Sequence, residues 1–116
     1  MFDYFYGVQA EQFAFIRVPR VLFTDKKFSS LSTDAKVLYG ILLSRMELSA
    51  KNGWFDDAGR VYIIFTIDEV QECLGCCNKK AVALMSDLEK KAGLIERKRQ
   101  GLGRPNIIYV KNFATE

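Results

Sequence analysis

The feature that most constrains the fold is a glycine between two short amphipathic segments, "TIDEVQECLG" and "CCNKKAVALMSDLEKKAG". Gly75 predicts the left-handed stop of a first helix, and Gly93 predicts the end of a second one. Because only a tight turn separates the two helices, we expect them to pack as a helix-turn-helix.

Both helices carry local signals that support this interpretation. Thr66 is followed three residues later by Glu69, the arrangement of a capping box. The buried side of the second helix is predicted from its apolar spacing: it consists of Ala81, Leu84, Met85 and Leu88.

A strand–loop–strand segment, "LIERKRQGLGRPNIIYV", follows the second helix directly. A β-hairpin in this place makes the unit a winged one. The predicted fold class is therefore α+β: a winged helix-turn-helix with a C-terminal β-hairpin wing and an N-terminal strand or arm.

The rest of the chain supplies the core. "LSTDAKVLYGILLSRMEL" predicts a long central helix, capped by Ser32 or Thr33, in which Gly40 permits close packing. Residues 61–65 read as a buried strand, with Trp54 and Phe55 pairing back on it. Phe13 to Val18 alternate like a short strand that Pro19 ends.

A chain of 116 residues predicts one domain, which we divide into an arm (1–12) and a winged-helix domain (13–116). No apolar run approaches the roughly 20 residues of a membrane span, and the start does not resemble a secretory signal. We therefore expect a cytoplasmic protein.

The cysteines Cys73, Cys76 and Cys77 are tightly spaced and odd in number, and the chain has no histidine. A disulfide framework or zinc site is not expected, and neither is any other metal or cofactor. Cys76 and Cys77 are interpreted as small, partly buried residues at the helix junction.

Positive charge is concentrated in the second half of the chain. Residues 78–105 hold eight Lys or Arg against three acids, a net charge of +5, although the whole chain carries +3. The remainder is therefore slightly acidic. Such asymmetry indicates a polyanionic partner, and double-stranded DNA fits the predicted fold.

The outer side of the second helix is small, polar or basic, which suits entry into a DNA major groove. Its residues are Asn78, Lys79, Lys80, Val82, Ala83 and Ser86. Asn78 could bond an adenine edge, and the lysines could reach guanine or phosphate. The alternative for the lysines is an ordinary solvated helix face.

The hairpin carries a second candidate set for DNA contact: Arg97, Lys98, Arg99, Gly101, Gly103 and Arg104. The two glycines permit a tight tip from which Arg104 projects towards a minor groove. The first three cations alternate between the strand faces, so one or two can follow phosphates. The alternative is a soluble hairpin whose charged edges discourage aggregation.

A catalytic function is not expected. The commonest general base, histidine, is absent, and Gly101 and Gly103 lie between strands rather than between a strand and a helix. The acidic pair Asp56–Asp57 falls in a predicted turn, where such residues are usual.

The N-terminus is unusually rich in aromatic residues: Phe2, Tyr4, Phe5, Tyr6, Phe13 and Phe15. Exposed together, they would make a self-association surface, and the strand predicted at 13–18 could pair across a two-fold axis. Packing of the same residues onto their own subunit is the alternative.

The helix opening "LSTDAK", the segment "NGWFDDAGRVYIIFT" and the wing "RKRQGLGRPN" resemble the N-terminal domain of RepA-type plasmid replication initiators of Gram-positive bacteria. The resemblance covers nearly the whole chain, roughly residues 13–113. It departs at the start of the second helix, where Cys77-Asn78 replaces the serine N-cap frequent in that family.

The resemblance implies a winged helix that binds repeated origin sites (iterons) as a dimer or higher oligomer. It also implies a longer protein whose C-terminal domain contacts host replication factors. A transcriptional regulator of the same shape, or a winged helix with an acidic protein partner, is the alternative function.

Overall fold

The computed structural model describes residues 1–7 and 13–115. The helices are α1 (Val21–Thr24), α2 (Thr33–Lys51), α3 (Ile67–Leu74) and α4 (Asn78–Ser86), and the strands are β1 (Ile63–Ile64), β2 (Ile95–Lys98) and β3 (Ile107–Val110). Short 3₁₀ turns lie at Lys26–Phe28 and Phe113–Thr115, and a π-helical turn at Asp87–Lys91 extends α4. The strands form an antiparallel sheet in the order β1-β3-β2.

This architecture confirms the predicted α+β winged helix-turn-helix. The sheet and the helix pair bury their apolar sides against α2, whose Leu38, Tyr39 and Leu42 are almost completely buried. The stripe predicted for the second helix is buried as well. Burial of these aliphatic side chains is the main force that holds the helix pair on the long helix.

The predicted helix signals are present. The Ser32 hydroxyl accepts a hydrogen bond from the N–H of Ala35 at 3.2 Å. Thr66 and Glu69 form the reciprocal capping box. Gly75 has the left-handed φ of 61° and ends α3, so the turn before α4 forms as the sequence indicates.

The strand predicted at 61–65 is shorter than expected, because only Ile63 and Ile64 join the ladder with β3. Val61 instead forms an isolated bridge with Phe55, as the predicted back-pairing requires. The N–H of Tyr62 also donates to the carbonyl of Trp54 at 3.2 Å. The chain therefore leaves the sheet to make this small turn.

Asp56 fastens that turn to the sheet. Its carboxylate accepts the backbone N–H groups of Ala58 and Arg60 at 3.0 and 2.8 Å. It also accepts the hydroxyl of Tyr109, in the central strand, at 2.9 Å. The bond from the Arg60 N–H, followed by the other donors, lowers the pKa of Asp56 to about 2. The turn carboxylate therefore has a structural role.

The strand predicted for Phe13–Val18 is wrong, since residues 14–19 form neither helix nor strand. The segment lies instead against α2 at Gly40, where a Cβ atom would come within 2.8 Å of Val18 Cγ2 and 2.9 Å of the Arg17 carbonyl oxygen. A helix offers no sheet edge, so the segment has no strand to pair with. Residues 8–12 of the predicted arm lie outside the described residues.

Candidate nucleic-acid interface

The candidate recognition helix, α4, begins at Asn78 as predicted. Its N-cap, Cys77, is extended (φ −79°, ψ 166°) and makes no side-chain hydrogen bond to the helix. The N-terminal N–H groups of α4 therefore receive no bond from a capping side chain and point towards the surface, where they favour an anion.

The cysteines at the helix junction divide into two kinds. Cys76 is half-buried against the core, as expected, whereas Cys77 is exposed. The prediction that Cys77 is partly buried is wrong, because an N-cap residue stands outside the helix that it begins. Cys73, on α3, is also exposed.

The outer side of α4 is open as predicted. Asn78, Lys79 and Ala83 are exposed, Val82 retains 46% of its exposure, and Ser86 is half-buried. No bulky side chain stands on this side, so a groove of DNA can approach the helix closely.

Asn78 is oriented by a residue that the sequence interpretation missed. Its side-chain Nδ2 donates to Oε1 of Gln71, on α3, at 3.4 Å. The second N–H and the Oδ1 atom remain for a base edge. Gln71 and Asn78 lie on different helices, so helical spacing does not link them, and the turn at Gly75 brings them together.

Lys80 differs from its neighbour Lys79. Its Nζ atom lies 2.5 Å from Oδ2 of Asp34 in the first turn of α2, and both side chains are about half-exposed. The hydrogen bond and charge of Asp34 raise the pKa of Lys80. Lys80 is therefore directed towards the start of α2, where it forms an ion pair with a carboxylate.

The wing has the predicted tight tip. Gly101 and Gly103 adopt φ of 116° and 78°, and the N–H of Arg104 donates to the Gly101 carbonyl at 3.3 Å. Gln100 Nε2 closes the loop on the carbonyl of Pro105 at 2.9 Å. The tip is exposed throughout.

Leu102, between the two glycines, is fully exposed at this tip. The sequence interpretation did not include Leu102, because a single apolar residue in a charged loop follows no periodic pattern. An apolar side chain so placed could enter a groove beside Arg104.

The first wing cations alternate between faces as predicted, and the faces differ in character. Arg97 lies opposite Ile108, on the core side of the sheet, and Lys98 lies opposite Ile107 on the other side. Arg97 is bonded to Glu89 through both its backbone N–H (3.1 Å) and its Nε (2.9 Å). Its guanidinium is therefore held by the protein itself.

The wing and the helix pair meet at a cleft of about 280 Å³. It is lined by Phe65, Thr66, Ile67, Met85, Arg97, Arg104, Pro105 and Asn106. The lining joins the end of α4, the start of α3 and the base of the wing, so these three elements border one region of the surface.

Four of the predicted DNA-contacting cations form no ion pair within the described residues. Across residues 1–7 and 13–115, no ion pair involves Lys79, Lys98, Arg99 or Arg104. Lys80 and Arg97 are paired with Asp34 and Glu89. The unpaired cations lie on the first turn of α4 and on the wing.

The N-terminal aromatic residues are exposed in the single chain. Phe2 and Tyr4 retain 98% and 85% of their exposure, and Phe5, Tyr6, Phe13 and Phe15 are exposed as well. Phe5 and Phe13 contact each other edge to face, with ring centroids 5.9 Å apart. Phe5 and Phe13 thus pack on each other while remaining exposed.

None of the helices in the described residues is long and apolar enough to cross a membrane.

Comparison with known proteins identifies relatives of this arrangement. A family model described as "Replication initiator protein A (RepA) N-terminus" matches residues 14–116. A "41 kDa protein" of Lactobacillus helveticus is 32% identical over 92 residues, which are 79% of this chain and 26% of that protein. The chain thus spans about a quarter of this relative's length.

Solved structures show the same fold. An "N-Terminal domain of DNA binding protein" is 34% identical with a TM-score of 0.77, over 97% of this chain and 85% of that one. A "Structure of Rep-DNA complex" is also 34% identical with a TM-score of 0.77, over 95% and 84%. A "Structure of MDR initiator" has the same identity and a TM-score of 0.74, over 95% and 86%.

We expect that a capping side chain at the start of α4 would increase the stability of the protein. The substitution Cys77→Ser places a hydroxyl where it can accept a backbone N–H, so stability should rise by about 1 kcal/mol. The measurement is the urea midpoint at unchanged m-value. Cys73→Ser, exposed on α3, is the control and should change stability by less than about 0.5 kcal/mol. Equal shifts for both variants would contradict the capping explanation.

Proposed function

Because the chain belongs to the family of replication initiator protein A (RepA) N-termini, we propose that it binds double-stranded DNA in the initiation of replication. The observation that carries this proposal is that, in the described part of the chain, no ion pair involves Lys79 on the first turn of α4 or the wing cations Lys98, Arg99 and Arg104. The solved Rep–DNA complex of the same fold supports it.

In the proposed complex, α4 enters the major groove by its N-terminal turn. Asn78 bonds an adenine edge with the amide atoms that Gln71 leaves free, and Lys79 bonds guanine or phosphate. Val82 and Ala83 meet thymine methyl groups. Lys80 contributes only as far as it is released from Asp34.

The wing follows the sugar–phosphate backbone beside the groove. Lys98 and Arg99 contact phosphates, and Arg104 reaches from the glycine-tipped loop into the minor groove. Phosphate contacts of this kind set affinity and register, whereas α4 supplies the base preference.

More specifically, we infer that the sites are repeats (iterons) at a plasmid origin, read in the cytoplasm by a non-enzymatic binding domain. Contacts with host replication factors are assigned to a region outside this chain. The family membership and the structural relatives named for initiators support this inference.

Salt titration of duplex binding tests the proposal. Neutralisation of about six phosphates gives a slope near −5 for log K against log salt concentration. Arg104→Ala should weaken binding to all duplexes and make the slope shallower by roughly 0.9, because one phosphate-region cation is lost.

Lys26→Ala, at an exposed lysine outside α4 and the wing, is the matched control for charge and should leave the slope unchanged. Duplex binding that does not respond to salt would refute the DNA proposal and would leave the acidic protein partner as the alternative.

Base preference is expected to depend on Asn78. Asn78→Ala should reduce the affinity ratio between a repeat-containing origin duplex and an unrelated duplex by about 10-fold or more, since one bidentate base contact contributes about 1–3 kcal/mol of discrimination. The salt slope should not change. Competition binding with the two duplexes measures the ratio, and an unaltered ratio would mean that α4 is placed wrongly in the groove.

We further propose that the exposed aromatic arm associates with a second copy of the chain, giving a homodimer or higher oligomer. A variant with serine at positions 2, 4, 5 and 6 keeps the chain length and removes the aromatic surface. Its sedimentation-equilibrium mass should fall to that of a monomer. If wild type and variant have the same mass, the arm does not mediate association.

A further inference from the structure

We propose that Glu89 is a positioning residue for the wing: by holding Arg97, it fixes the wing relative to α4, and Arg97 itself does not contact phosphate. The inference rests on the proposed DNA binding and assigns a function to a residue on neither predicted contact surface. It also removes Arg97 from the set of predicted DNA ligands.

The geometry couples two separate elements. Glu89 lies in the π-helical turn that continues α4, and Arg97 lies in β2, the first strand of the wing. One carboxylate oxygen accepts the Arg97 backbone N–H at 3.1 Å and the other accepts Nε at 2.9 Å. Because one of these bonds is to backbone, Glu89 fixes the position of the strand as well as of a side chain.

The pair is shielded enough for these bonds to matter. The side chains of Arg97 and Glu89 are 24% and 25% exposed. Burial opposes ionisation of Glu89, but the backbone N–H and guanidinium of Arg97 together outweigh it, so the pKa of Glu89 lies below its ordinary value. The carboxylate is thus charged at neutral pH, and its bonds are charge-assisted.

The end of α4 is shaped to present this carboxylate. In the π-helical turn, the N–H of Ala92 donates to the carbonyl of Asp87, five residues earlier, at 3.0 Å. The next backbone bond, from Leu94 to Leu88 at 2.8 Å, leads directly into β2. The π-helical turn therefore joins α4 to the wing, and Glu89 lies within this turn.

The position of Arg97 determines where the wing tip lies. Arg97 and Arg104 line the same cleft as Thr66 and Met85, so the base and the tip of the wing both lie beside the helix pair. Loss of the Glu89 bonds would let the wing pivot away from α4. Helix and wing would then no longer meet the duplex together.

The two possible roles of Arg97 predict opposite signs for Glu89→Gln. If Arg97 were a phosphate ligand, removal of the competing carboxylate would free it and tighten binding. If Glu89 positions the wing, the same change should weaken binding of the origin duplex about tenfold or more, the factor that corresponds to loss of a hydrogen bond to a charged group. The salt slope should stay the same, because no phosphate contact is lost.

The matched control is Glu96→Gln. Glu96 lies one residue before Arg97, on the other side of β2, about half-exposed, and pairs only loosely with Lys111 at 3.6 Å. Glu96→Gln removes the same charge from the strand that carries Arg97, so by electrostatics alone it should leave binding unchanged or tighten it. A loss with Glu89→Gln and none with Glu96→Gln supports the positioning role.

Arg97→Met provides a second measurement that does not depend on Glu89→Gln folding. It should lower affinity with an unchanged salt slope, in contrast to Arg104→Ala, and urea unfolding of each variant verifies its fold. Tighter binding by Glu89→Gln, or a shallower slope for Arg97→Met, overturns the inference. If the wild-type chain does not bind duplex in a salt-dependent way, the proposed function itself fails.

Discussion

The left-handed backbone at Gly75 is the constraint on which the helix pair depends. A Cβ atom at this position would meet nothing within 4 Å, so space is not the reason for glycine. The reason is the φ of 61°, which costs other residues about 1–2 kcal/mol. This conformation stops α3, turns the chain within three residues and starts α4 with its apolar stripe on the core. It also brings Gln71 beside Asn78.

Signals that act over a few residues were predicted well from the sequence. The capping box at Thr66, the stop at Gly75 and the tight tip at Gly101 each arise from local backbone chemistry. The family resemblance was confirmed by the family model that matches residues 14–116. The strand predicted at 13–18 was wrong. Whether a segment with alternating residues joins a sheet depends on the surface that it packs against.

Contacts between distant parts of the chain could not be predicted. The candidate interface was assigned from charge and spacing, which do not reveal where a carboxylate from another element will lie. Asp34 reaches Lys80 across 46 positions of sequence, and Glu89 reaches Arg97 through an irregular helical turn. Of the cations counted in that segment, Lys80 and Arg97 are therefore paired within the protein, whereas no ion pair in the described residues involves the four cations on the first turn of α4 and the wing.

Gly40 shows how an absent side chain can direct a distant part of the molecule. The segment at Arg17 and Val18 packs against α2 at Gly40, so closely that a methyl group at this position would collide with it. The position of the segment that follows the N-terminal aromatic residues thus depends on a glycine in a buried helix. A larger residue at position 40 would displace this segment from α2 and so shift the aromatic residues that precede it.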